Sequence, residues 1–345
     1  MLRKLYVIAI LGMGIAMMYA CSKNQEDEVP ANLNVAFKIP ANFPVPAYNF
    51  DENKLTNAGF ALGKKLFYEA RLSADKSISC GSCHQQFAAF ANLDHKVSHG
   101  VANCQGKRNA PPLFNLVWQK AFFWDGGVKN LETSPLNAIA DTCEMRTDIA
   151  TVIAFLKSTA PYPDLFKSAF GTEEINSQLI LKSLAQFMGM MVSGNAKYDQ
   201  VMRKENAAAF TSSELAGYNL FKARCVSCHA EPFFTDFSYR NNGLDLQSAD
   251  EGRSHITGSA TDFGKFRVPT LRNIEYTSPY MHDGRFYSLD EALEHYNTGV
   301  KPAANLDPLL KNGIPLSTLE KEQIKAFLKT LTDHEFIKNT LFSES

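Results

Sequence analysis

Cys80-Gly81-Ser82-Cys83-His84 and Cys225-Val226-Ser227-Cys228-His229 are two copies of one pattern, and they hold four of the seven cysteines in the chain. In Cys-x-x-Cys-His the two thiols can form thioethers with the two vinyl groups of a haem, while the adjoining histidine turns its imidazole onto the iron. With Cys and His each near two per cent of residues, one chance match has odds on the order of one in several hundred. A second copy therefore makes coincidence a poor explanation. A zinc site built from two Cys-x-x-Cys pairs would need the pairs about fifteen to twenty residues apart, and would leave both histidines without a purpose. The pairs lie in different halves of the chain, so the pattern predicts two c-type haems and, with them, electron transfer.

At 345 residues the chain accommodates two domains of ordinary size, one for each haem. Its formal net charge is -1 and it has no long basic run, which argues against nucleic acid or an electrostatically held membrane surface as partner. Arg3 and Lys4 precede an apolar run over residues 5–18, followed by Tyr19-Ala20-Cys21. This reads as an export signal covering residues 1–20, with Cys21 lipidated as in bacterial lipoproteins; an ordinary cleaved signal or an uncleaved anchor are the alternatives. Residues 22–28 are polar and acidic, as suits a solvated tether. Export to the periplasm or cell envelope suits thioether-bound haem. It also suits a disulfide between the remaining Cys104 and Cys143, although a free buried pair stays open because sequence gives no distance.

Residues 29–48 are rich in Pro, Asn and Ala and read as extended chain, completing a 21–50 tether and N-terminal segment. Leu55, Phe60, Leu62, Leu66 and Phe67 then recur near helical spacing and lead through Arg71-Leu72-Ser73 to the first motif. Leu215, Tyr218, Leu220 and Phe221 do the same before the second, a weak internal repeat of helix followed by attachment site. Between them come a loop-rich stretch at 85–112 and helical patterns at 149–158, 175–192 and 196–204, with a boundary near 204–210. A last helix is expected over 319–331, opened by Ser317-Thr318-Leu319-Glu320 as a capping box. Strong strand patterns are absent. The fold class is mainly α with long loops, divided into domains at 51–205 and 206–338.

Further strings connect these features. Leu62-Gly63-Lys64-Lys65-Leu66-Phe67, Arg71-Leu72-Ser73, Arg108-Asn109-Ala110-Pro111, Phe123-Trp124-Asp125-Gly126, Glu144-Met145, Val268-Pro269-Thr270-Leu271-Arg272-Asn273 and Pro279-Tyr280-Met281-His282-Asp283-Gly284 occur in this order. With the haem motifs they make the chain resemble the bacterial di-haem cytochrome c peroxidases and their MauG-type relatives over nearly all of the mature sequence. The resemblance implies two cytochrome c-like domains. The N-terminal haem would be the peroxide site, with His84 as its proximal ligand, and the C-terminal haem, on His229, would pass electrons to it.

The resemblance also assigns roles to single residues. His99 aligns with a distal histidine that some members displace before peroxide binds, with His95 as a competitor and a water-facing loop histidine as the plain alternative. Glu144 matches the distal acid, which would take a proton from peroxide and return it to the leaving oxygen. A glutamine that accompanies this acid in many relatives is replaced by Ser134. Trp124 matches a tryptophan between the haems, whereas Phe122 and Phe123 read as core. Tyr296 stands where peroxidases of the best-known type have a methionine ligand and MauG-type relatives have tyrosine; Met281 is a rival by residue type, with a structural loop role as the alternative. Asn109, Thr277 and Pro279 match positions that hold calcium through oxygen donors.

The expected activity is reduction of hydrogen peroxide to water by electrons from a small cytochrome c or cupredoxin. The expected cofactors are two c-type haems and one calcium ion. The expected partners beyond peroxide and donor are a membrane, through the lipid anchor, and a second copy of the chain in a homodimer. The rival readings are a MauG-type oxidase that modifies another protein, which Tyr296 favours, and a di-haem electron carrier without catalysis, which permanent ligation by His99 would favour.

Overall fold

The computed structural model describes residues 34–344 except Asp94, so the expected signal at 1–20, Cys21 and the acidic tether lie outside the described residues. In chain order the helices are α1 (Asn57–Tyr68), α2 (Cys80–Cys83), α3 (Pro135–Ala140), α4 (Ile149–Ser158), α5 (Tyr162–Phe170) and α6 (Ser177–Gly189). They continue with α7 (Lys197–Arg203), α8 (Ser212–Arg224), α9 (Ser254–Thr257), α10 (Leu289–Glu294), α11 (Thr318–Lys329) and α12 (His334–Lys338). Strands β1 (Tyr239–Arg240) and β2 (Phe266–Arg267) form a two-residue antiparallel pair. The chain is mainly helical, and among the described residues no helix is long and apolar enough to cross a membrane.

Each motif follows a helix that crosses a second helix at a glycine. In α1, Thr56 caps the first turn by accepting from the Gly59 amide at 2.9 Å, and Phe60, Leu62, Leu66 and Phe67 turn inward and are buried. Helix α1 packs on α6 so closely that a Cβ on Gly63 would lie 2.0 Å from the Ser183 carbonyl oxygen. In the second half α8 packs on α11, and a Cβ on Gly217 would lie 1.9 Å from the Gln323 carbonyl oxygen. There Phe221, Phe234, Ile324, Phe327, Leu328 and Leu331 form a buried cluster. Side-chain-free positions let the two backbones approach to contact, which buries the apolar stripes on either side.

The expected helices form, the one at 149–158 with the expected ends and the others with shifted ones. Ser317 and Glu320 make the reciprocal capping box, with the Ser317 amide 2.8 Å from the Glu320 carboxylate and the Glu320 amide 3.3 Å from the Ser317 hydroxyl. Asn176 accepts from the Leu179 amide, so α6 starts at Ser177 rather than at 175. Helix α5 was not expected: Pro161 and Pro163 interrupt the pattern there, but both fall at the helix start, where a missing N–H is harmless.

Two features join the halves. Arg272 and Asp199 form a fully buried bidentate pair at 2.8 and 2.9 Å, and the guanidinium also lies against the rings of Phe43, Tyr198 and Phe234. The tail after α12 turns back onto the first half, where the Phe342 ring packs among Phe60, Phe90, Phe187 and Phe336. Tyr68 donates to the Phe342 carbonyl at 2.7 Å.

Candidate functional site

The first motif forms one helical turn. The Ser79 amide donates to the Ser82 hydroxyl at 3.0 Å, and the His84 amide to the Cys80 carbonyl at 2.9 Å, so both cysteines and the histidine project from a short fixed frame. The chain then folds back tightly through Ala89 and Phe90, both in the left-handed region at φ 51° and 59°. This places the Phe90 carbonyl 2.9 Å from His84 Nδ1. The second motif repeats the device in a run of turns directly after α8. His229 Nδ1 lies 3.0 Å from the carbonyl of Phe234, which is also left-handed at φ 55°. Both phenylalanines are fully buried.

These contacts test whether the residues fit a haem. With Nδ1 engaged by a carbonyl, each imidazole keeps Nε2 as the nitrogen for a metal, and its orientation is set by the second-shell bond. Burial lowers His84 to about 4 and also lowers His229, so both rings are neutral at neutral pH, the form that ligates iron. None of Cys80, Cys83, Cys225 and Cys228 is in a disulfide. Burial pushes the Cys80 and Cys225 thiols up to about 12. Two unpaired thiols and one neutral imidazole per motif fit covalent haem.

Glu144 sits on a turn in electrostatic contact with both Cys80 and Cys83. Burial, helped by the nearby Asp141 carboxylate, raises its carboxyl to about 7. The backbone of His99 comes to the same motif, with its carbonyl 4.0 Å from Cys83 Sγ, and the His99 and His95 rings meet edge to face at 5.0 Å. Cys104 and Cys143 are joined in a disulfide that links the His99 loop to the Glu144 turn. Ser134 turns its hydroxyl back onto the Leu131 carbonyl.

Trp124 is buried, and its indole N–H donates to the Asn109 carbonyl at 2.8 Å. Its own carbonyl accepts from the Arg267 amide on β2 at 2.7 Å, so the indole is held between a first-half loop and the second half. Of its neighbours, Phe122 is core, while Phe123 is only half-buried. The Asn109 amide in turn donates to the His282 carbonyl at 2.7 Å, which ties this loop to the string containing Pro279. Asn109 Nδ2 lies 3.2 Å from the Lys96 carbonyl. Among the described residues no cluster of three or more His, Cys, Asp or Glu side chains is arranged to hold a metal ion.

At the second motif Tyr296 lies on a short π-helical turn (His295–Gly299) and interacts electrostatically with Cys228 and Cys225. Burial raises its phenol, which is therefore protonated at neutral pH. Asn242 Nδ2 stands 3.5 Å from both Tyr296 Oη and Met281 Sδ, so the two rival ligands share one neighbourhood. Sequence reasoning missed Asn242, because an asparagine fifty-four residues from its partner carries no local signal. It also missed the Phe90 and Phe234 carbonyls, since a backbone acceptor has no side-chain code. Arg108, quoted above only within a string and given no role, pairs with Asp125 at 2.6 Å and Asp250 at 2.7 Å beside Trp124.

The chain is similar to known proteins over most of its length. The di-haem cytochrome c peroxidase family profile matches residues 57–207. The chain is 34% identical to the methylamine utilization protein MauG of Methylorubrum extorquens over 307 residues, covering 87% of this chain and 84% of that protein. It is 35% identical to the cytochrome c551 peroxidase of Nitrosomonas europaea over 283 residues, covering 80% of each. The crystal structure of a MauG-like protein associated with microbial copper homeostasis superposes with a TM-score of 0.81 at 31% identity, over 90% of this chain and 99% of that one. Two Cys-x-x-Cys-His frames, each with an anchored neutral histidine, and relatives of this likeness over most of the chain lead to one assignment: this protein belongs to the di-haem cytochrome c peroxidase family of oxidoreductases, a membership that implies c-type haems.

Proposed function

We propose that the protein reduces hydrogen peroxide to water, with electrons entering at the second motif from a small cytochrome c or cupredoxin and passing to the first. The observation that carries this reading is Glu144, a partly buried carboxyl beside Cys80 and Cys83 whose proton affinity is near neutrality. When bound, the two haems supply the redox chemistry and an iron position for peroxide. His84 and His229 would hold the irons, and Tyr296 would occupy the remaining position at the second. Cleaving the O–O bond requires a proton to leave one oxygen and arrive on the other. A carboxyl poised near pH 7 does both at low cost, as a side chain pinned fully ionised or fully protonated would not. The His99 backbone reaches the same motif, and Trp124, gripped from both halves, would carry electrons between the two sites. In this reading the halves 51–205 and 206–338 divide the labour. The protein is exported and held to a membrane through Cys21, and a calcium ion at Asn109, Thr277 and Pro279 is supported by donor type alone.

A second reading, a MauG-type oxidase acting on another protein, is favoured by Tyr296 beside Cys225 and Cys228. Steady-state turnover of the holoprotein with peroxide and reduced cytochrome c separates the two. Fast turnover without a protein substrate, slowed roughly 10²- to 10³-fold by Glu144→Gln with both haems retained, is the expected result. Peroxide consumption only in the presence of a protein substrate would favour the second reading, and an unchanged Glu144→Gln rate would remove Glu144 from the reaction.

A further inference from the structure

The Cys104–Cys143 disulfide joins segments 39 residues apart, one carrying His99 and the other Glu144, and both reach the first motif. One is the loop 98–106, closed on itself by the Gly106 amide to the Ser98 carbonyl at 2.9 Å and the Gly100 amide to the Cys104 carbonyl at 2.8 Å. The other is the turn 141–146, wound around Asp141, whose carboxylate accepts from the Cys143 amide at 2.7 Å and whose carbonyl accepts from the Glu144 amide at 3.1 Å. The two meet closely. The Val101 amide donates to the Glu144 carbonyl at 2.9 Å, and a Cβ on Gly100 would fall 2.1 Å from the Cys143 carbonyl oxygen. The far side of the loop rests on the first motif through the His99 carbonyl and Cys83 Sγ. Ala102, Asn103, Gln105, Asp141 and Thr142 are exposed, while Val101 on the loop and Met145 on the turn are buried, so the disulfide lies at the solvent side of the junction.

We propose that the Cys104–Cys143 disulfide is a positioning device for Glu144, clamping the loop 98–106 onto the turn 141–146 so that the carboxyl stays over the Cys80–Cys83 frame. This rests on the assignment of Glu144 as the proton-handling group. A displacement of about 1 Å at such a group can cost on the order of 10²-fold in rate. Asp141 on the same turn is the ionisable neighbour that acts on the carboxyl, with the sulfurs of Cys80 and Cys83 on α2 beside it, so the clamp sets these surroundings together.

The test uses the holoprotein in a double-mutant cycle. Cys104→Ser with Cys143→Ser, and separately Gly100→Ala, are made in the native background and in the Glu144→Gln background. The rate of the peroxide-induced change in haem absorbance is read beside haem content. In the native background each change slows the reaction by roughly tenfold or more, and in the Glu144→Gln background by less than about twofold, because the group being positioned is gone. Gly100→Ala, which wedges the contact while leaving the disulfide intact, decides the matter if the cysteine variant loses haem. Equal losses in both backgrounds mean a merely structural link and overturn the proposal. So does an effect that disappears with His99→Ala instead. A Glu144→Gln rate equal to the native one fails differently, since it removes the proposed proton role itself.

Discussion

Glu144 shows how a single side chain acquires its chemistry from its place. Burial is the larger cause of its raised proton affinity and Asp141 the smaller, so Asp141→Asn leaves most of the shift in place. A carboxyl that must first accept a proton is inactive while protonated. The rate constant for peroxide, kcat/KM, is therefore expected to rise with pH through about 7 and level off above it. This limb should be missing in Glu144→Gln, and a pH–rate profile between about pH 5 and 9 checks it. His84 and His229 follow the same logic in the other direction: burial keeps them neutral, and a phenylalanine carbonyl fixes Nε2 as the nitrogen left to bind a metal.

At the scale of elements, the two helix pairs are one design used twice, with Gly63 and Gly217 as the crossing points. Because the atom each would strike is a backbone carbonyl, neither neighbour can rotate away. Gly217→Ala is expected to cost about 1–3 kcal/mol, seen as a lower denaturant midpoint at unchanged slope. Much of this level was legible in the sequence. The periodicity before each motif and the Ser317–Glu320 box are local signals, and they located α1, α8 and α11. The motifs themselves were legible because thioether chemistry demands those residue types at that spacing. What stayed hidden depends on chain folding back: the left-handed turns that deliver the Phe90 and Phe234 carbonyls, and Asn242 between Tyr296 and Met281. Helix α5 stayed hidden because prolines that cap a helix look in sequence like prolines that break one.

Over the whole molecule, the buried Arg272–Asp199 pair and the returning tail make the halves depend on each other. Phe342 is 3% exposed and lies against Phe90, the residue whose carbonyl anchors His84. Phe342→Ala is expected to cost about 3–5 kcal/mol in chemical denaturation, with the first haem perturbed before the second. The same feature bears on how the protein is made. The first half leaves the ribosome well before residues 336–342 exist, so the aromatic surface around Phe90 lacks this cover through most of synthesis. The Cys80–Cys83 turn, tied to Phe90 through His84, is thus made well before the ring that covers its neighbourhood.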